Sequence, residues 1–247
     1  MSSDKIDVIV LAGGLGTRLK SVMPTLPKAL SPINGRPFLD YILDFLEGSD
    51  SVNNVVLAVG YMADRIIDKY SNQHEYDFDI LFSREETLLG TGGAIKRALQ
   101  YSTTDHIMVL NGDSYVDVRV NDVIAFHRDK NSSMTIIVKK IRNPGRYGLI
   151  EFDHNHRITS FNEKLTSTAE GYVNTGIYLV KREIFNTIEE NRTISLEKEL
   201  IPFFINNMDV YGFVTHGKFI DIGIPETYQI ADKFFKEELG HKSKTAQ

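Results

Sequence analysis

Residues 11–30 read LAGGLGTRLKSVMPTLPKAL and follow directly on the apolar run that starts at Val8. A short apolar run that breaks into a glycine cluster predicts a buried strand turning sharply at its carboxyl end. Gly13, Gly14 and Gly16 carry no side chains, so several backbone N–H groups can approach phosphate oxygens unobstructed. Arg18 and Lys28 then supply positive charge on long stems. Chemistry at phosphorus needs negative charge to be positioned and stabilised on equatorial and leaving oxygens, which a guanidinium and an ammonium together do. Spacing separates this loop from two familiar ones. A dinucleotide loop requires G-x-G-x-x-G, and Leu19 stands where the third glycine would fall; G-x-x-x-x-G-K-[ST] does not occur. The plainer alternative is a glycine-rich strand-to-helix turn with no ligand.

Outward from this loop the first half alternates short β-rich runs with amphipathic segments, the pattern of strands joined by helical crossovers. Strands are expected at residues 8–11, 55–59, 80–82 and 107–110, and helices at 37–46, 63–70 and 93–100. Phe38, Leu39, Ile42, Phe45 and Leu46 recur at helical spacing behind Pro37, with Gly48 at the exit. The second half changes to strand-like runs at 134–141, 149–152, 158–161 and 173–180, then a helix over 195–204, strands at 210–215 and 219–222, and a last helix opened by Pro225. This predicts an α/β, Rossmann-like mixed sheet, mainly parallel, with helices on both faces and an antiparallel extension. We read residues 1–240 as one domain and 241–247 as a frayed polar tail.

The 247 residues suffice for a sizeable core, and 28 basic against 33 acidic residues, a net charge of -5, argue against nucleic acid or an anionic membrane as partner. With no cysteine, disulfides, thiolate metal sites and a cysteine nucleophile are excluded. No apolar run approaches the roughly 20 residues of a membrane span, so a cytoplasmic protein is expected. None of the seven histidines stands in H-E-x-x-H, and no G-x-S-x-G elbow occurs, so hydrolase chemistry lacks its residues.

Two further segments carry chemistry. LGTGGAIKRAL, residues 89–99, sets small residues at the mouth of a helix whose positive end favours an anion or a close flat ligand, and upstream either Glu85 or Glu86 could read donors on a base edge. NGDSY, residues 111–115, places Asp113 just beyond a strand, where open α/β sheets gather ligands and a carboxylate can hold a hard divalent cation; a turn-forming aspartate is the bland alternative.

Taken together, Leu11–Leu19 followed by Pro27 and Lys28 resembles the N-terminal motif of the sugar-1-phosphate nucleotidyltransferases, and the likeness runs from Val8 to about Phe235. Within that family it is nearest the D-glycero-D-manno-heptose 1-phosphate guanylyltransferases, through GTRLKS (16–21), INGRPFLDYIL (33–43), Asn111–Asp113 and FIDIGIPETY (219–228). Asn111 departs from the commoner L-G-D pattern, and Ala29 and Leu30 from the usual P-L. The resemblance implies the nucleotide-diphospho-sugar transferase fold. It also implies nucleotide contacts along Leu11, Ala12, Gly13, Gly14, Gly16 and Thr17, with Asn111 and Gly112, and Gly92 against base and ribose. Arg18 would grip the departing pyrophosphate and Lys28 the phosphates; Asp221 would join Asp113 in holding Mg²⁺. Lys164 would bind the sugar phosphate, Glu163 and Asn174 sugar hydroxyls, and Tyr147 and Gly148 would skirt the sugar. The substrates implied are GTP, or another nucleoside triphosphate, and a sugar 1-phosphate, with pyrophosphate as co-product; a homodimer is left open. Related uridylyl, thymidylyl and mannose guanylyl transferases share most of these motifs, and a non-catalytic, sugar-nucleotide-binding regulator is the alternative from another class.

Overall fold

The computed structural model describes residues 5–19, 22–73, 75–145, 147–162 and 170–245. In β1 (Ile6–Leu11), Ile6, Val8, Ile9 and Val10 are all fully buried. Val8 and Val10 belong to the apolar layer on one face of the sheet and Ile9 to the layer on the other. A strand covered on both faces has no polar side, which is why the sequence shows an unbroken apolar run here. The chain then makes a small hairpin, β2 (Pro32–Ile33) with β3 (Arg36–Pro37), and enters α1 (Phe38–Glu47). Next come β4 (Val52–Val59), α2 (Ala63–Tyr70), β5 (Asp79–Arg84), α3 (Gly90–Ala98) and β6 (His106–Asn111). β4 and β6 flank β1 in parallel, and β5 extends the parallel half beyond β4.

After β7 (Ser114–Val116) and α4 (Val120–Asp129), the chain turns to β8 (Met134–Arg142), β9 (Leu149–Phe152), β10 (Ile158–Asn162) and β11 (Glu170–Lys181). β11 runs antiparallel to β6, β8 and β9, so this one strand joins the two halves of the sheet. A π-type turn at Leu196–Leu200 leads into α5 (Ile201–Asn207). Then β12 (Val210–Thr215) pairs in parallel with β8, β13 (Phe219–Asp221) pairs antiparallel with β7, and α6 (Pro225–Thr245) follows.

Helices cover both faces as expected: α1, α2, α4 and α6 supply Phe38, Ile66, Val123 and Phe235 to one layer, α3 and α5 supply Ile95 and Phe204 to the other. Phe235 stacks on Tyr41 at 4.0 Å and meets Phe38 edge-on at 5.9 Å, which fastens the middle of α6 to α1. Burial of such a side chain contributes about 1.5–3 kcal/mol.

The structure differs from expectation in several elements. Helix α4 was not anticipated, although Val120, Val123, Ile124 and His127 are buried at helical spacing. Helix α6 extends from Pro225 to Thr245. Helix α3 begins at Gly90, three residues early, because the Ile194 carbonyl accepts the N–H groups of Gly92 (2.9 Å) and Gly93 (3.3 Å) and stabilises that first turn.

Candidate active site

The glycine loop leaves β1 between its two parallel neighbours. Ala12 N–H donates to the Ala58 carbonyl at 2.8 Å, Gly112 N–H to the Leu11 carbonyl at 2.9 Å, and Tyr61 N–H to the Gly13 carbonyl at 3.0 Å. These bonds draw the ends of β1, β4 and β6 together at the carboxyl edge of the sheet. Gly13 is required by contact, since a Cβ there would lie 2.9 Å from Gly60 N and from Glu85 Oε1, and Gly16 by its φ of +58°.

Three adjoining clefts open around this loop. The first, of about 260 Å³, is lined by Leu11, Ala12, Gly14, Gly16, Thr17, Arg18, Lys28, Asn111, Gly112 and Asp113, among others. Lys28 sits in a single tight turn, Lys28–Leu30, set by the extended Pro27 before it. Its ammonium forms an ion pair with Asp113 Oδ2. Burial acts to raise the Asp113 carboxyl, but the Lys28 charge, hydrogen bonds from Lys28 and Ser114, and the Arg18 charge outweigh it and hold the group below the usual carboxylate range. Strand pairing brings the second carboxylate alongside. Ser114 faces Asp221 in the β7–β13 ladder, and Ile222 N–H donates to the Asp113 carbonyl at 2.9 Å. Asp221 Oδ1 accepts the Gly223 N–H at 2.7 Å, which fixes its carboxylate toward the turn. A Cβ on Gly223 would lie 2.6 Å from Asp221 Oδ1 and 3.2 Å from Lys28 Nζ, so both aspartates and the lysine converge on one turn.

A second cleft, about 330 Å³, continues from the loop past Gly13, Ala58, Glu85, Leu88, Gly90, Thr91 and Ala94. Its polar group is Glu85, whose Oε2 accepts the Leu89 N–H at 2.8 Å. Burial pushes the Glu85 carboxyl up, against that bond and the Arg97 charge. Of the two glutamates, Glu85 is buried in the cleft wall and Glu86 is exposed. Gly92 is placed away from the cleft wall. It does not line the cleft; a Cβ on it would strike Leu200 Cδ1 at 2.6 Å, so it faces the 194–200 segment, and Gly90 and Thr91 take the cleft wall instead. The Gly92 and Gly93 N–H groups at this helix mouth donate to the Ile194 carbonyl.

The third cleft, about 160 Å³, lies on the other side of Asp113. Arg18, Asn111, Asp113, Asp221, Tyr147, Gly148 and Asn174 line it, with Phe161, Glu197 and Phe219. Strand β11 bulges against β8 between Asn174 and Tyr178, and Gly176 takes a φ of +80° within that bulge. Bulges re-aim side chains beside active sites, and here Asn174 Oδ1 folds back to accept the Gly176 N–H at 2.9 Å. Glu163 and Lys164 lie outside the described residues. Sequence reasoning missed Thr91, Phe161, Glu197 and Phe219. Thr91 stands inside the quoted LGTGG segment; Glu197 looked like one more charge on a helix, and no local pattern marks it.

A family model, nucleotidyl transferase, matches residues 7–238, and the chain belongs to that family. It is therefore a nucleotidyltransferase in fold and in class of enzyme. The chain is 34% identical over 236 residues to D-glycero-alpha-D-manno-heptose 1-phosphate guanylyltransferase of Aneurinibacillus thermoaerophilus, covering 96% of this chain and 99% of that protein. The enzyme so named from Campylobacter jejuni is also 34% identical, over 90% of this chain and 97% of its own. Among solved structures, HddC from Yersinia pseudotuberculosis superposes with a TM-score of 0.84 at 36% identity, over 93% of this chain and 99% of that one, and it has also been solved complexed with GMP-PN.

Proposed function

We propose that the protein transfers a GMP unit from GTP to D-glycero-α-D-manno-heptose 1-phosphate, giving a GDP-heptose and pyrophosphate. The observation that carries this reading is the order of the clefts: an apolar one with a buried carboxyl, a cationic one at the glycine loop, and a polar one beyond the paired aspartates. That sequence matches base, phosphates and sugar along one substrate pair. The heptose and the guanine follow from the similarity to enzymes so named.

An oxygen of the sugar phosphate attacks the α-phosphorus in line; one O–P bond forms, and the bond to the β-phosphate oxygen breaks with its electron pair leaving on pyrophosphate. The nucleophile is already an anion, so no covalent intermediate on the protein is needed. Arg18, which lines both the loop cleft and the sugar cleft, stabilises charge on the phosphates, and Lys28 does so from beneath. Asp113 and Asp221 would hold Mg²⁺. The donor set fits: two carboxylates, no cluster of three or more ligating side chains among the described residues, and room for phosphate and water oxygens, which Mg²⁺ prefers to an all-protein cage. When bound, the ion supplies charge neutralisation at the α-phosphate. Lys164 and Glu163 complete the sugar side in this reading. No described helix is long and apolar enough to cross a membrane, and we take the site of action to be cytoplasmic.

The test is pyrophosphate release with Mg²⁺, across GTP, ATP, CTP, UTP and dTTP against heptose, mannose, glucose and N-acetylhexosamine 1-phosphates. Release confined to GTP and the heptose phosphate is the expected result. Release with a different pair overturns the substrate assignment, and silence throughout overturns catalysis in favour of a regulatory binder.

A further inference from the structure

Glu197 stands in the π-type turn Leu196–Leu200, a geometry that recurs at functional sites, and its side chain forms part of the sugar-side cleft. Its Oε2 accepts the Thr91 hydroxyl at 2.7 Å and the Ser195 hydroxyl at 3.3 Å. The hydroxyl of the buried Tyr178 lies near the same carboxylate. Each of these hydroxyls is oriented by a donor of its own: Leu196 N–H to Thr91 at 2.8 Å, Lys198 N–H to Ser195 at 3.2 Å, and Asn174 Nδ2 to Tyr178 at 2.6 Å. The Thr91 and Ser195 hydroxyls both donate to the carboxylate. The group is thereby held in one place by elements far apart in sequence.

A carboxylate offers about four acceptor positions. Two hydroxyls leave capacity for another donor, and the open side of Glu197 is the cleft shared with Asn174, Thr175 and Phe219. An acceptor-only group, fixed in advance, discriminates for a ligand that brings O–H donors and against one that lacks them. We propose that Glu197 is a specificity-determining residue that accepts a hydrogen bond from a ring or side-arm hydroxyl of the sugar 1-phosphate. The assignment rests on the reading of this cleft as the sugar site. Thr91 lines both nucleotide-side clefts while donating to Glu197.

The experiment is steady-state kinetics of wild type and Glu197→Gln with GTP and the accepted sugar 1-phosphate, repeated with monodeoxy analogues of that sugar. Loss of a hydrogen bond to a charged group predicts a rise of about tenfold or more in KM for the sugar phosphate. KM for GTP is expected to stay within about twofold, since the contact is with the sugar. One deoxy analogue is expected to cost the wild type about tenfold in kcat/KM and to cost Glu197→Gln nothing further. Equal losses for both enzymes with every analogue, or a fall in kcat that tracks a lowered melting temperature, would show an anchor for the turn only and overturn the assignment. If Glu197→Gln does not fold, Glu197→Asp keeps the charge, withdraws it from the cleft and gives the same comparison. Wild-type silence with every sugar 1-phosphate instead overturns the reading of the cleft itself, an outcome distinct from an active wild type with an unselective variant.

Discussion

Asp113 accepts from Lys28 and Ser114 while its main-chain carbonyl holds Ile222, so its side chain and backbone serve different ends. Replacing the carboxylate by an amide leaves the backbone bond in place. Asp113→Asn is therefore expected to lower kcat by about 10²–10³, the scale of losing a preorganised electrostatic group, while the melting temperature falls by only a few degrees. Turnover within threefold of wild type would remove Asp113 from the chemistry. Glu85 makes a different kind of prediction. A carboxylate beside an apolar wall of Ala58, Leu88 and Ala94 can accept both N1–H and the 2-amino group of guanine. Glu85→Gln is expected to reduce kcat/KM for GTP about 10- to 100-fold and that for ITP, which lacks the amino group, by less. Equal losses for the two nucleotides would count against base reading by Glu85.

At the level of elements, α4 is pinned through a buried histidine. His127 Nδ1 lies 2.8 Å from Thr135 Oγ1 on β8, and Nε2 lies 3.1 Å from His106 Nδ1 on β6. Burial first, then the neighbouring His106, Lys181 and Arg128 charges, lower its pKa from 6.5 to about 3. Below pH 6.5 the unfolded chain takes up a proton that the folded protein refuses until about pH 3, so stability is full above 6.5 and declines as pH falls through that window. The slope is at most about 1.4 kcal/mol per pH unit. Urea unfolding at pH 7.5, 6 and 5 is expected to show wild type losing about 1–2 kcal/mol more than His127→Gln over that range. Parallel pH profiles would show that His127 is not the group responsible. The element itself was readable from Val120, Val123, Ile124 and His127, but the polar run before Met134 resembles a loop unless that spacing is counted.

Across the whole molecule, the three clefts lie where the parallel half meets the antiparallel half, with Gly13 and Asp113 from one side and Asn174 and Glu197 from the other. A ligand filling them bridges both halves and binds the folded chain alone. GTP with Mg²⁺ at about 100 times its dissociation constant is expected to stabilise the protein by about 2.7 kcal/mol. For a chain of this size that is a rise of roughly 5–10 °C in melting temperature. The sugar 1-phosphate added on top is expected to raise it further. No shift with any nucleoside triphosphate would deny the clefts their assignment.

Sequence alone determined the parallel half, the glycine loop, Arg18, Lys28 and the candidate aspartates, because strand periodicity, glycine spacing and charge within a loop are local properties of neighbouring residues. It also carried the family, through several motifs in a set order. Only the tertiary structure decided the rest. The pairing of Asp113 with Asp221 depends on the β7–β13 ladder across more than a hundred residues. The turning away of Gly92 depends on the Ile194 carbonyl, and Glu85 is buried whereas Glu86 is exposed. The place of Glu197 depends on the Thr91 hydroxyl, more than a hundred residues away in the chain. Such contacts are set by which surfaces meet when the two halves of the sheet close, and no residue's nearest neighbours in the chain record that.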